Sequence, residues 1–179
     1  MHRRSFLALA FAPVAAAVLP GCAGYTLGPV KPKRFEKVHT IAVQTVKNQT
    51  LEPRLEVLLA TTIIKQIQQD GTYKVVRENV ADAILETTLE ELIRRPARNQ
   101  SGNVLLAREY TLTLRGRYKL MNRSGGEILD SRAVTGTTSF FTSGSSLIEA
   151  DVNQDERQAI PIAAEDFAVH LTALISEGW

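Results

Sequence analysis

Residues 109–120, EYTLTLRGRYKL, alternate apolar and polar side chains almost without fault. Tyr110, Leu112, Leu114, Tyr118 and Leu120 fall on one side, and Thr111, Thr113, Arg115, Arg117 and Lys119 on the other. A period of two cannot be satisfied on a helix of 3.6 residues per turn; it belongs to a strand with one buried and one wet face. NRSGGE follows at 122–127, a hairpin turn built around Gly125-Gly126. Residues 128–141, rich in Ser, Thr and Val, are expected to carry the returning strand, with Gly136 at a bulge. A long antiparallel hairpin is therefore the first constraint on the fold.

The remaining segments add helices and shorter strands. Residues 39–47 (HTIAVQTVK) read as a first strand with Ile41 and Val43 on one face. Thr50 is placed to cap a following helix, with Glu52 and Pro53 in its first turn. Leu55, Leu58, Leu59, Ile63 and Ile67 form its apolar stripe, and Asp70-Gly71 supplies the stop. Residues 73–76 are a short strand. Residues 81–95 (ADAILETTLEELIRR) fit both templates. Ala81, Ile84, Leu85, Thr88, Leu89 and Leu92 make a helical stripe, whereas Ala83, Leu85, Thr87 and Leu89 make a strand face. Pattern and propensity by themselves favour the helix. After polar breaks at 96–103 and 142–146, residues 151–175 predict a second helix through Ile160, Ala164, Phe167, Ala168, Leu171 and Ile175. Pro161 should kink it or begin a new helix. No internal repeat is visible.

The first 21 residues have a different character. Arg3 and Arg4 precede an uncharged run, SFLALAFAPVAAAVL, at 5–19. That run is shorter than the roughly 20 residues needed to span a bilayer and has the layout of an export signal. HRRSFLA fits a twin-arginine signal and equally an ordinary signal whose charges are arginines. Leu19-Pro20-Gly21-Cys22 resembles the bacterial lipobox, which marks cleavage and acyl attachment at the cysteine, although Pro20 replaces its usual small residue. Cys22 is the only cysteine, so an internal disulfide has no partner, and no histidine stands in a recognisable catalytic setting. Several acyl chains on one cysteine give stable attachment. Ala23, in place of an inner-membrane retention aspartate, points to the outer membrane. The expected organisation is a signal at 1–21, a lipid-anchored tether at 22–37 and one domain at 38–179.

Charge and chemistry exclude several classes. Both excess positive charges lie in Arg3 and Arg4, so the chain from Cys22 onward balances 19 acidic residues with as many basic ones. That balance argues against nucleic acid as a partner. No metal-ligand spacing, phosphate-cradling glycine loop or nucleophile elbow is present. Glu90 and Glu91 should face opposite sides of a strand, and Gly144-Ser145-Ser146 has no base. The expectation is a non-enzyme without a cofactor or metal. The most informative surface feature is the basic row Arg115, Arg117 and Lys119, with Arg94, Arg95, Arg98 and Arg123 in neighbouring segments. It reads either as a solvated sheet face with edge-protecting cations or as an arginine surface matched to phosphates.

Short pieces spread along the chain, in order, carry a family resemblance. They are Cys22-Ala23-Gly24-Tyr25-Thr26-Leu27, Ile41-Ala42-Val43 with Asn48 and Thr50, and Ala81-Asp82-Ala83-Ile84-Leu85. Arg108-Glu109-Tyr110 with Leu112, and Val134-Thr135-Gly136 with Phe140, complete the set. The chain resembles the LPS-assembly lipoprotein family. The resemblance implies an α+β two-layer sandwich: a mixed four-stranded sheet with two helices packed on one face. It turns residues 83–94 into a strand, against the local pattern, because a β-α-β unit followed by the hairpin needs that element in the sheet. It also implies a plug subunit of the outer-membrane lipopolysaccharide-assembly barrel that binds lipopolysaccharide. No family motif fixes single contact residues; Arg115, Arg117, Lys119 and Arg94 are the candidates because the basic surface suits phosphates. The alternative is another periplasmic lipoprotein, such as a secretion-channel assembly factor.

Overall fold

The computed structural model describes residues 31–98, 108–142 and 149–177. Cys22 and the expected export signal at 1–21 lie outside them. The hairpin forms as its alternation requires: β5 (Arg108–Asn122) and β6 (Ile128–Thr142) pair antiparallel along their length. Leu112, Leu114, Tyr118 and Leu120 are fully buried, while Arg115, Arg117 and Lys119 are exposed. In the turn, Gly126 takes φ +64°, and the Asn122 N–H donates to the Glu127 carbonyl at 2.8 Å. Only glycine adopts that left-handed conformation without steric cost.

Residues 81–95 are not the helix that local pattern favours. They lie in β4 (Ala83–Arg98), the strand implied by the family resemblance, antiparallel to β5. The helix-like spacing has a physical origin. In the register Leu89 faces Gly116 and Glu91 faces Arg115, so Glu90 is an extra residue in a β-bulge. The bulge shifts the inward set from Ala83, Leu85, Thr87 and Leu89 to Leu92 and Arg94. Inward leucines at 85, 89 and 92 thereby acquire helical intervals on an extended chain. Ladder partners on both sides outweigh the local preference.

On its other side β4 pairs in parallel with β1 (Thr40–Val43) and β2 (Lys47–Asn48). These are two parts of one interrupted line, because the Gln44 and Gln49 N–H groups also donate to the Leu85 and Leu89 carbonyls. β3 (Lys74–Val75) adds a parallel edge beyond β1. The order is β3-β1-β4-β5-β6, with β2 beside β4. The sheet therefore has six strands among the described residues, not four: the first strand is broken in two, and the short strand expected at 73–76 joins the sheet as its parallel edge.

α1 (Leu55–Asp70) buries Leu55, Leu59, Ile63 and Ile67 and ends at Gly71, whose φ is +76° and whose N–H donates to Ile67. Its start differs from expectation. Thr50 is not the N-cap; its hydroxyl instead accepts from the Glu52 N–H, and its own N–H and hydroxyl donate to Asn48 Oδ1. That local turn uses up the capping oxygen, and the helix begins after Arg54, which has φ 68°. α2 (Glu149–Glu177) runs without interruption through Pro161, so no new helix starts there. It packs on β6, β5 and α1. Both helices cover one sheet face, as the family resemblance implies.

Gly136 has a different role from the expected bulge. It stands in register with Leu114, and the irregularity near the start of β6 falls at Leu129. A Cβ on Gly136 would lie 2.3 Å from the Ala163 carbonyl oxygen and 2.4 Å from the Phe167 nitrogen. The missing side chain is what lets the α2 backbone touch the sheet. α2 also covers part of the β6 edge: the Thr137 N–H donates to Asp166 (2.8 Å), and His170 Nδ1–H donates to the Thr135 carbonyl (2.8 Å). The core includes Phe35, from the 3-10 turn Lys33–Phe35. Packing thus reaches back into the segment 22–37 expected to be tether.

Candidate functional site

Two polar regions stand out, one on each face of the sheet. The helix-free face carries the basic row. Arg115, Arg117 and Lys119 project there from β5, and the row is interleaved with carboxylates rather than standing alone. Arg115 pairs with Glu91 at 3.1 Å, Arg117 with Glu90 at 3.6 Å, and Lys47 with Glu86 at 3.5 Å. The Glu90 bulge explains how adjacent glutamates reach arginines on the same face, against the expectation that they point apart. Lys119 lies in register with Glu86 but makes no ion pair among the described residues. Threonine and serine line the rest: Thr111 and Thr113 on β5, with Ser131, Thr135, Thr137 and Ser139 on β6. Half-exposed pairs of this kind contribute about 0–1 kcal/mol each. Each guanidinium retains donors beyond those its glutamate uses, so the face can still bind oxyanions.

Arg94 does not join that row. It registers with buried Leu112 and faces the helices, where it pairs with Glu52 at 3.5 Å and, more closely, with Glu156 of α2. Glu156 is only 5% exposed, so this contact ties β4, the α1 entry loop and α2 together. Arg94 also lines a cleft of about 330 Å³ with Thr50, Leu51, Glu90 and Ile93. Arg123 is in the hairpin turn, donating to the Ala81 carbonyl. The Arg98 side chain lies outside the described residues.

A buried polar cluster gave no signal in the sequence. Asp130, 9% exposed, accepts from the Tyr118 hydroxyl and from Arg132 Nε at 3.0 Å, and pairs with Arg34 at 3.3 Å. Burial by itself would raise the Asp130 pKa, but the Tyr118 hydroxyl and the two guanidinium groups outweigh it and hold the carboxyl below its usual range. Burial, reinforced by Asp130, pushes the Tyr118 phenol upward. Arg132 also donates to the Leu174 carbonyl, and the Tyr73 hydroxyl to that of Ile175, so both satisfy orphan groups in the last turn of α2. Burial, with the Asp70 charge next, raises the Tyr73 pKa to about 12. Alternation places Asp130 inward without naming its partners, since Arg34 arrives from a segment expected to be tether.

Among the described residues no group of three His, Cys, Asp or Glu side chains could hold a metal ion. What the arrangement offers is charge-assisted binding on the open face and cross-linking on the covered one. Its fold is shared with other solved bacterial proteins. A minor lipoprotein from Acinetobacter baumannii is 18% identical with a TM-score of 0.51, and the match covers 79% of this chain and 93% of that one. A protein described as a homologue of the neuraminyllactose-binding hemagglutinin, from Helicobacter pylori, is 15% identical with a TM-score of 0.51, over 86% and 93% of the two chains. At these identities the likeness is one of fold alone. No curated protein matches the chain in sequence. The family model described as lipopolysaccharide-assembly, LptE, matches residues 38–173, well over half of the chain. The chain therefore belongs to the LptE lipopolysaccharide-assembly family.

Proposed function

We propose that this chain is an outer-membrane lipoprotein, anchored through acyl chains on Cys22. In this reading it serves as plug and assembly subunit of the lipopolysaccharide translocation barrel, binding lipopolysaccharide and guiding it to the outer leaflet. It works by binding and steric gating, with no covalent step and no cofactor. Family membership supports the assembly role, and the lipobox supports the anchor. The observation that carries the binding role is the helix-free sheet face. It presents Arg115, Arg117 and Lys119 among hydroxyls, a surface suited to phosphates and sugars and to the polar lumen of a barrel.

Arg94 has a lesser part in this reading, because two carboxylates already hold it on the other face. Charge reversal at Arg115 and Arg117 should weaken capture of the folded protein on immobilised lipopolysaccharide; unchanged capture would remove the row from the binding surface. Copurification tests the assembly role: a stable complex with a large lipopolysaccharide-assembly barrel is expected. Absence of that complex, together with normal surface lipopolysaccharide on depletion, would overturn it. Mass spectrometry of the membrane-extracted protein should show an acylated N-terminus at Cys22.

A further inference from the structure

β4 is paired along only part of its outer side. β2 lies against it as far as Asn48 opposite Leu89, and the last bond there runs from the Gln49 N–H to the Leu89 carbonyl at 2.9 Å. The chain then turns away through Thr50, Leu51 and Glu52 toward α1, while β4 continues along β5 to Arg98. The backbone of β5 fixes what this remaining edge presents. Gly116 stands opposite Leu89, whose carbonyl points away from β5, and Leu114, Leu112 and Tyr110 share the parity of Gly116. Their partners Leu92, Arg94 and Pro96 therefore turn their backbone groups outward as well. Pro96 lacks an N–H at a parity where the β4–β5 ladder does not need one. The outward N–H groups of Leu92 and Arg94, and the carbonyls of all three residues, have no backbone partner among the described residues.

The cleft of about 330 Å³ lies where β2 would continue, between the loop from Gln49 to Glu52 and the edge from Glu90 to Arg94. Leu51, which lines it, is fully exposed, and exposed Arg95 makes no ion pair among the described residues. We infer that residues 92–96 are a strand-addition site. It takes an extended segment of the assembly-barrel partner, with a carboxylate opposite Arg95 and an apolar side chain against Leu51. This rests on the assembly reading above. The strands of a closed barrel bond one another and offer no edge, so the segment is a loop or terminus of that partner. A second copy of this chain does not fit. Antiparallel self-pairing about Ile93 brings Pro96 of one copy level with Glu90 of the other, where Gln49 already lies. Shifting the register outward sets Arg94 against Arg94 or Arg95 against Arg95, and like charges directly opposite are destabilising.

The test compares amide hydrogen exchange, resolved to single residues, in the full chain alone and in its copurified complex with the lipopolysaccharide-assembly barrel. In the free chain Leu92 and Arg94 should exchange fast, while Ile93 and Arg95, turned toward β5, exchange slowly. In the complex, exchange at Leu92 and Arg94 should slow at least about tenfold, with Ile93 and Arg95 little changed. Slow exchange at Leu92 and Arg94 in the free chain would mean the edge is already covered and would overturn the inference. Equal slowing at the Leu51 amide, which lines the same cleft outside the ladder, would mean covering without pairing and overturn it too. Arg95→Glu should lower the yield of the complex severalfold without moving the denaturant midpoint; an undiminished yield overturns the carboxylate assignment. If no complex with the barrel forms, the assembly reading itself fails. A normal complex with Leu92 and Arg94 still exchanging fast defeats strand addition alone.

Discussion

At single positions, the structure turns on side chains that are missing, paired or left without a partner. Gly136→Ala would drive a methyl group into the α2 backbone, where neither the Ala163 oxygen nor the Phe167 nitrogen can swing aside. The expected loss is about 2–3 kcal/mol or more, read as a lower denaturant midpoint. Thr87 shows the opposite case. Its buried hydroxyl has no hydrogen-bond partner among the described residues. Thr87→Val keeps the shape and removes the unpaired oxygen, so stability should rise by about 1 kcal/mol in the same measurement. Asp130 sets an acid limit. Its folded pKa lies below the ordinary 3.8, so its contribution is complete above that value and is lost as pH falls through the lowered folded one. Asp130→Asn should destabilise the protein at neutral pH by about 2 kcal/mol, because it leaves Arg132 and Arg34 facing a neutral group. The variant should also show a flatter loss of stability below about pH 4, followed by circular dichroism.

Among the elements, β4 is the most instructive, because one extra residue decides what half of it faces. Were Glu90 paired regularly instead of bulged out, Leu92 would turn to solvent and Arg94 would join the open-face row. Deleting Glu90 removes only the extra residue, so Leu92 and Arg94 should stay inward and the Arg94–Glu156 contact should survive. The Glu90–Arg117 pair is lost, and stability should change by about 0–1 kcal/mol, read as the denaturant midpoint. A double-mutant cycle between Arg94→Ala and Glu156→Ala should show a coupling energy above the 0–1 kcal/mol typical of surface pairs, since Glu156 is buried. The same cycle on Arg115 and Glu91, both half exposed, should stay within that surface range. That contrast separates the arginine that holds the fold from those available to a ligand.

In the whole molecule, two helices seal one face of a mixed sheet and leave the other polar, while the N-terminal segment is fastened at the hairpin-turn end. Phe35→Ala should cost about 3–4 kcal/mol and loosen that fastening, detected as faster amide exchange in residues 31–40. Much of this was legible beforehand. The strict alternation of 109–120, the Gly125-Gly126 turn, the α1 stripe and its Gly71 stop are local patterns with a single physical solution each, and the basic row follows from the same alternation. The family pieces carried the strand at 83–94 and the helices on one face. Other features depended on neighbours distant in sequence. No local period reveals a bulge, so the parity of Glu91, Leu92 and Arg94, and with it the separation of Arg94 from Arg115, appears only when β4 is laid against β5. The contact of Gly136 with α2 and the pairing of Asp130 with Arg34 likewise join segments far apart in sequence. The sequence by itself determined which faces are apolar and where the chain turns, because those are set by the side-chain period within one segment. Only the tertiary structure decided which polar groups meet, because a one-residue change of register reverses a face and long-range packing alone selects the register.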